Sequence, residues 1–305
     1  MARLKDLISF LIICCIISSC THDRLTTLLE RPHSEFQLLD TLPFVAQMPS
    51  LIDESSGIIL HNDTLWTHND SGGSTYLYGM DLDSPEQLKS FRINGVANKD
   101  WEELAQDSNY VYVGDFGNNG GNRADLKILK VSKTSLIHEN GNPEILNISY
   151  ADQLSFNHTK YEHNHDCEAM IATDNQLFLF SKNFVDYKTK LYQVPTQAGD
   201  YNLVMLDTFD TKGTITGADL DEANGVLALV GYNFKSSTFF PFVWVFYDYS
   251  GNDFFGGKSK RINLPLTAQM EGICYSKPFE FLISNEVESG SKGNIYKLDV
   301  TELVK

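Results

Sequence analysis

The sequence predicts an all-β fold, a five-bladed β-propeller with four antiparallel strands per blade. Three observations lead there. A short cell recurs at Ser56-Gly57-Ile58, Glu102-Glu103-Leu104, Glu168-Ala169-Met170, Thr216-Gly217-Ala218 and Glu271-Gly272-Ile273, an acidic or hydroxyl residue followed as a rule by a small and then an apolar one. Short apolar runs separated by Gly, Asn, Asp and Ser clusters fill the space between the copies, which is the pattern of strands and tight turns. With 42% hydrophobic residues and few long helical patterns, the composition favours all-β over α/β.

The chain opens with a basic n-region (Arg3, Lys5) and an apolar run from Leu7 to Ile17, which ends in Ile17-Ser18-Ser19-Cys20. This reads as a secretory signal, residues 1–19. Cysteine after small residues also resembles the lipobox of bacterial lipoproteins, with Ile17 and Ser19 as mild departures. That resemblance implies a mature chain starting at Cys20, whose thiol carries diacylglycerol. The run falls short of the roughly 20 apolar residues that span a bilayer. Residues 20–35 are polar, contain Pro32 and read as a tether between membrane and folded body. The propeller is expected over 36–305, facing the periplasm or the cell exterior.

Each cell is expected to begin the innermost strand of a blade. Second runs follow at 64–67, 110–113, 177–180, 226–230 and 281–283, and third runs at 76–78, 126–129, 191–194, 243–246 and 295–298. Fourth runs precede the next cell at 88–93, 145–150, 203–206 and 260–264. The fifth unit lacks one, and the N-terminal run Phe36–Leu39 is expected to fill it, closing the ring and removing a free sheet edge. The unit between Glu102 and Glu168 is longest, with turn-rich insertions at 118–125 and 134–143. A sixth blade would need a full set of strands within residues 130–165, which that segment lacks.

First strands of a propeller line its channel, so Ser56, Glu102, Glu168, Thr216 and Glu271 should face one another. Three carboxylates converging on an axis repel one another unless protons, basic partners or a cation offset them. An all-oxygen donor set with three negative charges suits Ca²⁺ better than the tighter octahedron of Mg²⁺. The competing reading has these side chains capping strands or bonding neighbouring amides.

On this register the chain resembles the calcium-dependent apyrases, five-bladed propellers with a central calcium, whose first strands run Ser, Glu, Glu, Ser, Glu. Tyr112-Val113-Gly114 and Glu271-Gly272-Ile273 also look similar, and the likeness spans most of residues 50–299. It implies a central calcium held by the five register residues and hydrolysis of nucleotide phosphoanhydrides or phosphoesters. The family's Asp-Asp-Arg-Thr-Gly stretch stands here as Asn69-Asp70-Ser71-Gly72-Gly73, without its Arg. A weaker likeness is to esterase-like phytase and SdiA-regulated propellers.

Residues following second strands should ring the mouth. As an enzyme, the chain would use Asp70, Asp115 or Glu286 as general base and His165 as acid, with Asn69, Arg123, Lys182 and Asn285 on substrate. Turn chemistry explains the same Asn and Asp residues. His158, His163 and His165 beside Cys167 match no standard zinc spacing. Cys167 and Cys274 are expected to be buried thiols in different blades. The net charge of −16, with 24 Lys and Arg against 40 Asp and Glu, argues against nucleic acid. Scarce basic residues at the mouth favour a monomeric binding or scaffold module, for a small-molecule or protein ligand, over a polyphosphate hydrolase.

Overall fold

The computed structural model describes residues 35–70, 72–173, 175–287 and 292–305; the expected signal, Cys20 and nearly all of the tether lie outside them. Five antiparallel sheets form a ring. From the axis outward, blade one runs Ser55–His61, Thr64–Asn69, Tyr76–Asp81 and Ser84–Ile93. Blade two runs Trp101–Gln106, Tyr110–Asp115, Lys127–Ser132 and Glu144–Tyr150. Blade three runs Asp166–Ala172, Gln176–Lys182, Thr189–Pro195 and Met205–Phe209. Blade four runs Thr214–Asp221, Val226–Lys235, Thr238–Tyr247 and Lys258–Asn263. Blade five runs Met270–Lys277, Glu280–Asn285, Asn294–Asp299 and finally Phe44–Gln47. Each inner strand packs against the next, and that of blade five against that of blade one. Among the described residues no helix is long and apolar enough to cross a membrane.

Side chains alternate across a strand, so each blade feeds two interfaces, and the core divides into five apolar clusters, one between each pair of blades. In blade three, Leu177 and Leu179 face blade two while Phe178 and Phe180 face blade four. Phe178, Phe180, Trp244 and Phe246 are core, as the alternation predicts, and Tyr296 is half-buried. Cys167 and Cys274 are free and buried, and burial pushes the Cys167 thiol up to about 12, so both are inert.

Three details differ from the sequence reading. Phe44–Gln47, rather than Phe36–Leu39, closes blade five, antiparallel to Asn294–Asp299. The strand Glu35–Leu38 instead lies parallel to Lys258–Asn263 on the outer edge of blade four. Val204 separates two strands: Gly199–Leu203 lies parallel to blade two's Glu144–Tyr150 before Met205–Phe209 completes blade three. With Asn140–Gly141 parallel to blade one's Ser84–Ile93, the chain three times runs along one blade's outer edge just before supplying the outer strand of the next. These segments cover sheet edges that would otherwise template aggregation. Between blades three and four the same position is taken by Phe254 and Phe255, packed among Phe178, Phe180 and Phe246.

The third difference is the segment 239–242, which lies outside the runs read from sequence. It belongs to a long hairpin whose turn residues Ser236 and Ser237 have φ of 52° and 59°. Two consecutive left-handed residues are the geometry of a type I′ turn. The usual Asn-Gly signature is absent, which hid the hairpin from the sequence.

On the face away from the mouth, the Asp219 carboxylate accepts the backbone N–H groups of Leu220 (2.8 Å) and Tyr275 (2.7 Å), tying blade four to blade five. Burial pushes its pKa up to about 6. A carboxyl whose folded pKa is raised holds its proton in the native state while the unfolded chain has lost it, so stability falls as pH rises through that window. Between pH 4 and pH 6 the melting temperature of the native sequence should therefore fall relative to that of Asp219→Asn. A constant difference across that range would refute the assignment.

Candidate functional site

All five register residues occupy the same structural position, a β-bulge. Strand pairing skips Glu102 between Trp101 and Glu103, Glu168 between Cys167 and Ala169, Thr216 between Ile215 and Gly217, and Glu271 between Met270 and Gly272. In blade one it skips from Ser55 to Ile58, across Ser56. A bulged residue leaves the ladder and its side chain is re-aimed, here into a cup of about 570 Å³ at one end of the axis. Ser56, Glu102, Glu168 and Glu271 line the cup, whereas Thr216 lies beneath it and Thr214 lines it instead. The two register hydroxyls stitch neighbouring blades: Ser56 Oγ donates to the Glu102 carbonyl (2.5 Å) and Thr216 Oγ1 to that of Met270 (2.7 Å).

Glu103 forms the floor. In the next position of the cell, four blades carry Gly57, Ala169, Gly217 and Gly272, and the fifth carries this glutamate. It is fully buried, and its carboxylate accepts the N–H of Leu104 and, across the axis, that of Ala218, both at 2.9 Å. The Met170 amide adds a third bond. Burial pushes its pKa well above the usual range, and these amides offset that only in part. A Cβ on Gly57 would overlap the Glu103 carboxylate and the Leu104 amide. Gly57 leaves room for the blade-two backbone and the Glu103 carboxylate.

Above the floor, Lys182 reaches inward from the end of blade three's second strand and pairs with Glu168; the two are 5% and 4% exposed. Its Nζ lies 5.3 Å from the ring centre of Tyr232 and 5.8 Å from that of Phe184. Burial would lower the lysine's pKa, but Glu168, Tyr232, Glu271 and Asp166 outweigh it and hold the pKa well above normal. Glu271 accepts a bond from the Gln269 amide.

Glu102 differs from the other two register glutamates. It is 3% exposed, and among the described residues its carboxylate has no hydrogen-bond or ion-pair partner. Its carboxylate and those of Asp70 and Asp100 offer oxygens lying within 4.8 Å of one another. Burial, then the charges of Glu168, Asp70 and Asp100, push the Glu102 pKa well up. Two oxygens on one Ca²⁺ stand at most about twice the 2.3–2.6 Å bond length apart, so the cluster fits a calcium. Asn98 braces it, its amide donating to the carbonyls of Asn69 (3.0 Å) and Asp70 (2.9 Å) and its oxygen accepting the Trp101 N–H (3.2 Å). A Cβ on Gly117 would overlap Glu102 and Asp100.

Of the other residues singled out from sequence, Asp70, Glu286 and Lys182 line the cup. Asp115 and Arg123 do not. Asp115 is fully buried and paired with Arg123 (2.8 Å), whose guanidinium also donates to the Gly117 carbonyl (2.7 Å) and pins the 117–125 loop. Asn69 donates to the Leu51 carbonyl (2.9 Å), and Asn285 to those of Glu286 and Lys292, so both strand-end amides are spent on backbone carbonyls. His165 sits outside the cup beside Asp152 (3.6 Å). Both ring nitrogens of His163 are taken, by the Asn119 carbonyl and the His165 N–H, which leaves none for zinc.

Glu103 was not foreseen as a site residue, nor was an aromatic wall. A glutamate where sibling cells have glycine or alanine was the one available signal for Glu103.

No family model matches the chain, and no curated protein matches it. Among solved structures it is similar to the PQQ-bound aldose sugar dehydrogenase of Streptomyces coelicolor, at 10% identity over 85% of this chain and 97% of that one, TM-score 0.49. Hydrazine synthase of Kuenenia stuttgartiensis (9%, 85% and 66%, 0.38) and Drosophila semaphorin 2a (9%, 89% and 52%, 0.38) are also similar. Likeness at this distance transfers no site and no activity.

Proposed function

We propose that this chain is a binding module of the cell envelope, lipid-anchored at Cys20, whose cup holds calcium at Asp70, Asp100 and Glu102 and receives a ligand. The observation that carries the reading is Glu102, a buried carboxylate without a partner, beside two more carboxylates in a solvent-reachable cup. An uncompensated buried charge is costly, and a cation relieves it. The anchor rests on the Ile17–Cys20 pattern. Bound calcium would offset the repulsion within the cluster and fix the acidic side of the cup.

Hydrolysis of phosphoanhydrides or phosphoesters, the other reading, needs cations free to hold phosphate. Lys182 is buried against Glu168 and Arg123 is held by the buried Asp115. That arrangement favours binding over hydrolysis.

Calorimetry and thermal melting with calcium or chelator test the proposal. A ligand that binds only the folded state stabilises it by about 2.7 kcal/mol at a concentration about 100 times its Kd, so calcium should raise the melting temperature by several degrees. Glu102→Gln should abolish the shift. If chelation moves neither the melting temperature nor the calorimetric signal, the calcium site is refuted. Calcium-dependent turnover of nucleoside diphosphates that disappears in Glu168→Gln would favour the hydrolase.

A further inference from the structure

The cup has two unlike sides. Tyr161, Phe184, Tyr187, Tyr232, Phe234 and Phe239 line it from blades three and four and the loop leading into blade three. Polar residues line it from blades one, two and five, among them Glu54, Asn119 and Glu286. Three of the aromatic residues are open to solvent, Phe234 at 59%, Tyr161 at 50% and Tyr187 at 49%, and apolar rings left exposed around a cavity mark a contact surface. The rings meet steeply, Tyr232 on Phe239 at 86° and Tyr161 on Phe184 at 66°. The wall is therefore ridged and offers no single flat platform. Asn119 stands beside it, its carbonyl accepting the Tyr161 N–H at 3.0 Å. At about 570 Å³ the cup falls within the roughly 300–1,000 Å³ of small-molecule sites.

Each side selects against some ligands. An anion finds no counter-charge. Lys182, the one basic side chain among the described lining residues, is paired with Glu168, and three carboxylates would leave a bound calcium net negative. An ammonium ion fares no better. Glu168 is taken by Lys182 and Glu271 by the Gln269 amide, and calcium takes Asp70 and Glu102. Glu54 is exposed, where an ion pair contributes little. Burial, then the charges of Glu271, Asp70 and Glu54, push the Glu286 pKa up to about 8. At neutral pH its carboxyl is therefore mostly protonated, able to donate a hydrogen bond as well as accept one. A wholly apolar ligand would cover these polar groups without bonding them, which is costly.

A cyclic sugar suits both sides. Its ring presents C–H groups on one face and hydroxyls around the edge. The weakly positive C–H hydrogens are drawn to the negative faces of aromatic rings, and a puckered ring settles on a ridged wall where a flat heterocycle would not. We infer that the cup binds a neutral pyranose sugar, its C–H face against Phe234 and Tyr161 and its hydroxyls bonded to Glu286 and Asn119. This rests on the binding-module reading, and it uses none of the three carboxylates assigned to calcium.

The methyl glycosides of glucose, galactose and mannose, titrated calorimetrically into the mature protein with calcium present, test the inference. At least one should bind, and more tightly than its 2-amino and uronate counterparts, cyclohexanol or adenosine. Phe234→Ala should weaken that sugar about fourfold or more, the worth of one shielded CH₂ group or more, and Phe234→Tyr should retain its affinity. Asn119→Ala should weaken it about twofold to tenfold, the net worth of one hydrogen bond. Glu286→Gln keeps a donor and an acceptor and should leave the affinity within about twofold. No binding by any of the three, tighter binding of an amino sugar, a uronate, cyclohexanol or adenosine, indifference to Phe234→Ala or Asn119→Ala, or a larger loss in Glu286→Gln would each overturn the inference. A calcium-induced melting shift that persists when no sugar binds leaves the calcium site standing; sugar binding without that shift removes the calcium site alone.

Discussion

Replacing Lys182 with Met is expected to cost about 3–5 kcal/mol, because it strands Glu168 as a buried charge without its partner. Both side chains are at least nine-tenths buried, so solvent cannot take over the lost interaction as it would at the surface. Removing both, as in Lys182→Met with Glu168→Leu, takes away the unpaired charge as well and should recover much of the loss, since apolar replacements of buried pairs are often neutral. Urea denaturation of the two single variants and the double variant measures the coupling. Equal, additive losses would show that the pair does not act as a unit. The outcome also bears on the ring centre. The sequence placed no basic residue in the register and left the axial charge to a metal, whereas the structure brings in an ammonium from the second strand. A long, flexible side chain travels farther than residue spacing reveals.

The second large effect is expected at the floor. Glu103→Ala removes the acceptor for amides on three blades, each orphaned buried N–H costing about 1–3 kcal/mol, and opens a void at the axis. A total loss of about 3–5 kcal/mol is expected, read as a lower urea midpoint with an unchanged slope. Glu103→Gln keeps one acceptor and should lose less. Gly57→Ala is the companion test. Its Cβ would lie 2.2 Å from the Leu104 nitrogen and 2.6 Å from the Glu103 backbone carbon, besides 2.5 Å from the Glu103 carboxylate, so the variant should be badly destabilised, and remain so in the Glu103→Ala background, where the backbone overlap persists. A Gly57→Ala variant as stable as the native sequence would refute this close approach of the two inner strands.

Much of this was legible in the sequence, for physical reasons. The five cells announce themselves because equivalent bulges face one axis and impose the same chemistry on each copy. Alternation put Phe178, Phe180, Trp244 and Phe246 in the core, since period two is all a strand pattern encodes. Pairing partners were less legible. Phe36–Leu39 and Phe44–Gln47 are both short β-type runs, and nothing local says which lies parallel to blade four and which closes blade five. Asp115 and Arg123 looked like mouth residues by position. That they satisfy each other, and so leave the cup, depends on side-chain reach across a loop. The aromatic wall went unread because its members come from two separate loops and a hairpin with an unusual turn.

The direction of Glu35–Leu38 has a consequence for how the molecule would stand on a membrane. Tyr232 lines the cup and pairs with Pro241, and the adjoining Phe242 pairs with Asn263, so the Asn263 end of blade four's outer strand lies at the level of the mouth. Its Lys258 end, opposite Tyr247, lies at the far face. Glu35 pairs with Lys260 and Leu38 with Asn263, so the chain enters from the far face and climbs toward the mouth. A lipid on Cys20 would therefore hold the ring by its underside, on a leash of at most about 50 Å when fully extended. The cup would open away from the bilayer, sampling solutes and neighbouring surfaces instead of the lipid headgroups beneath it.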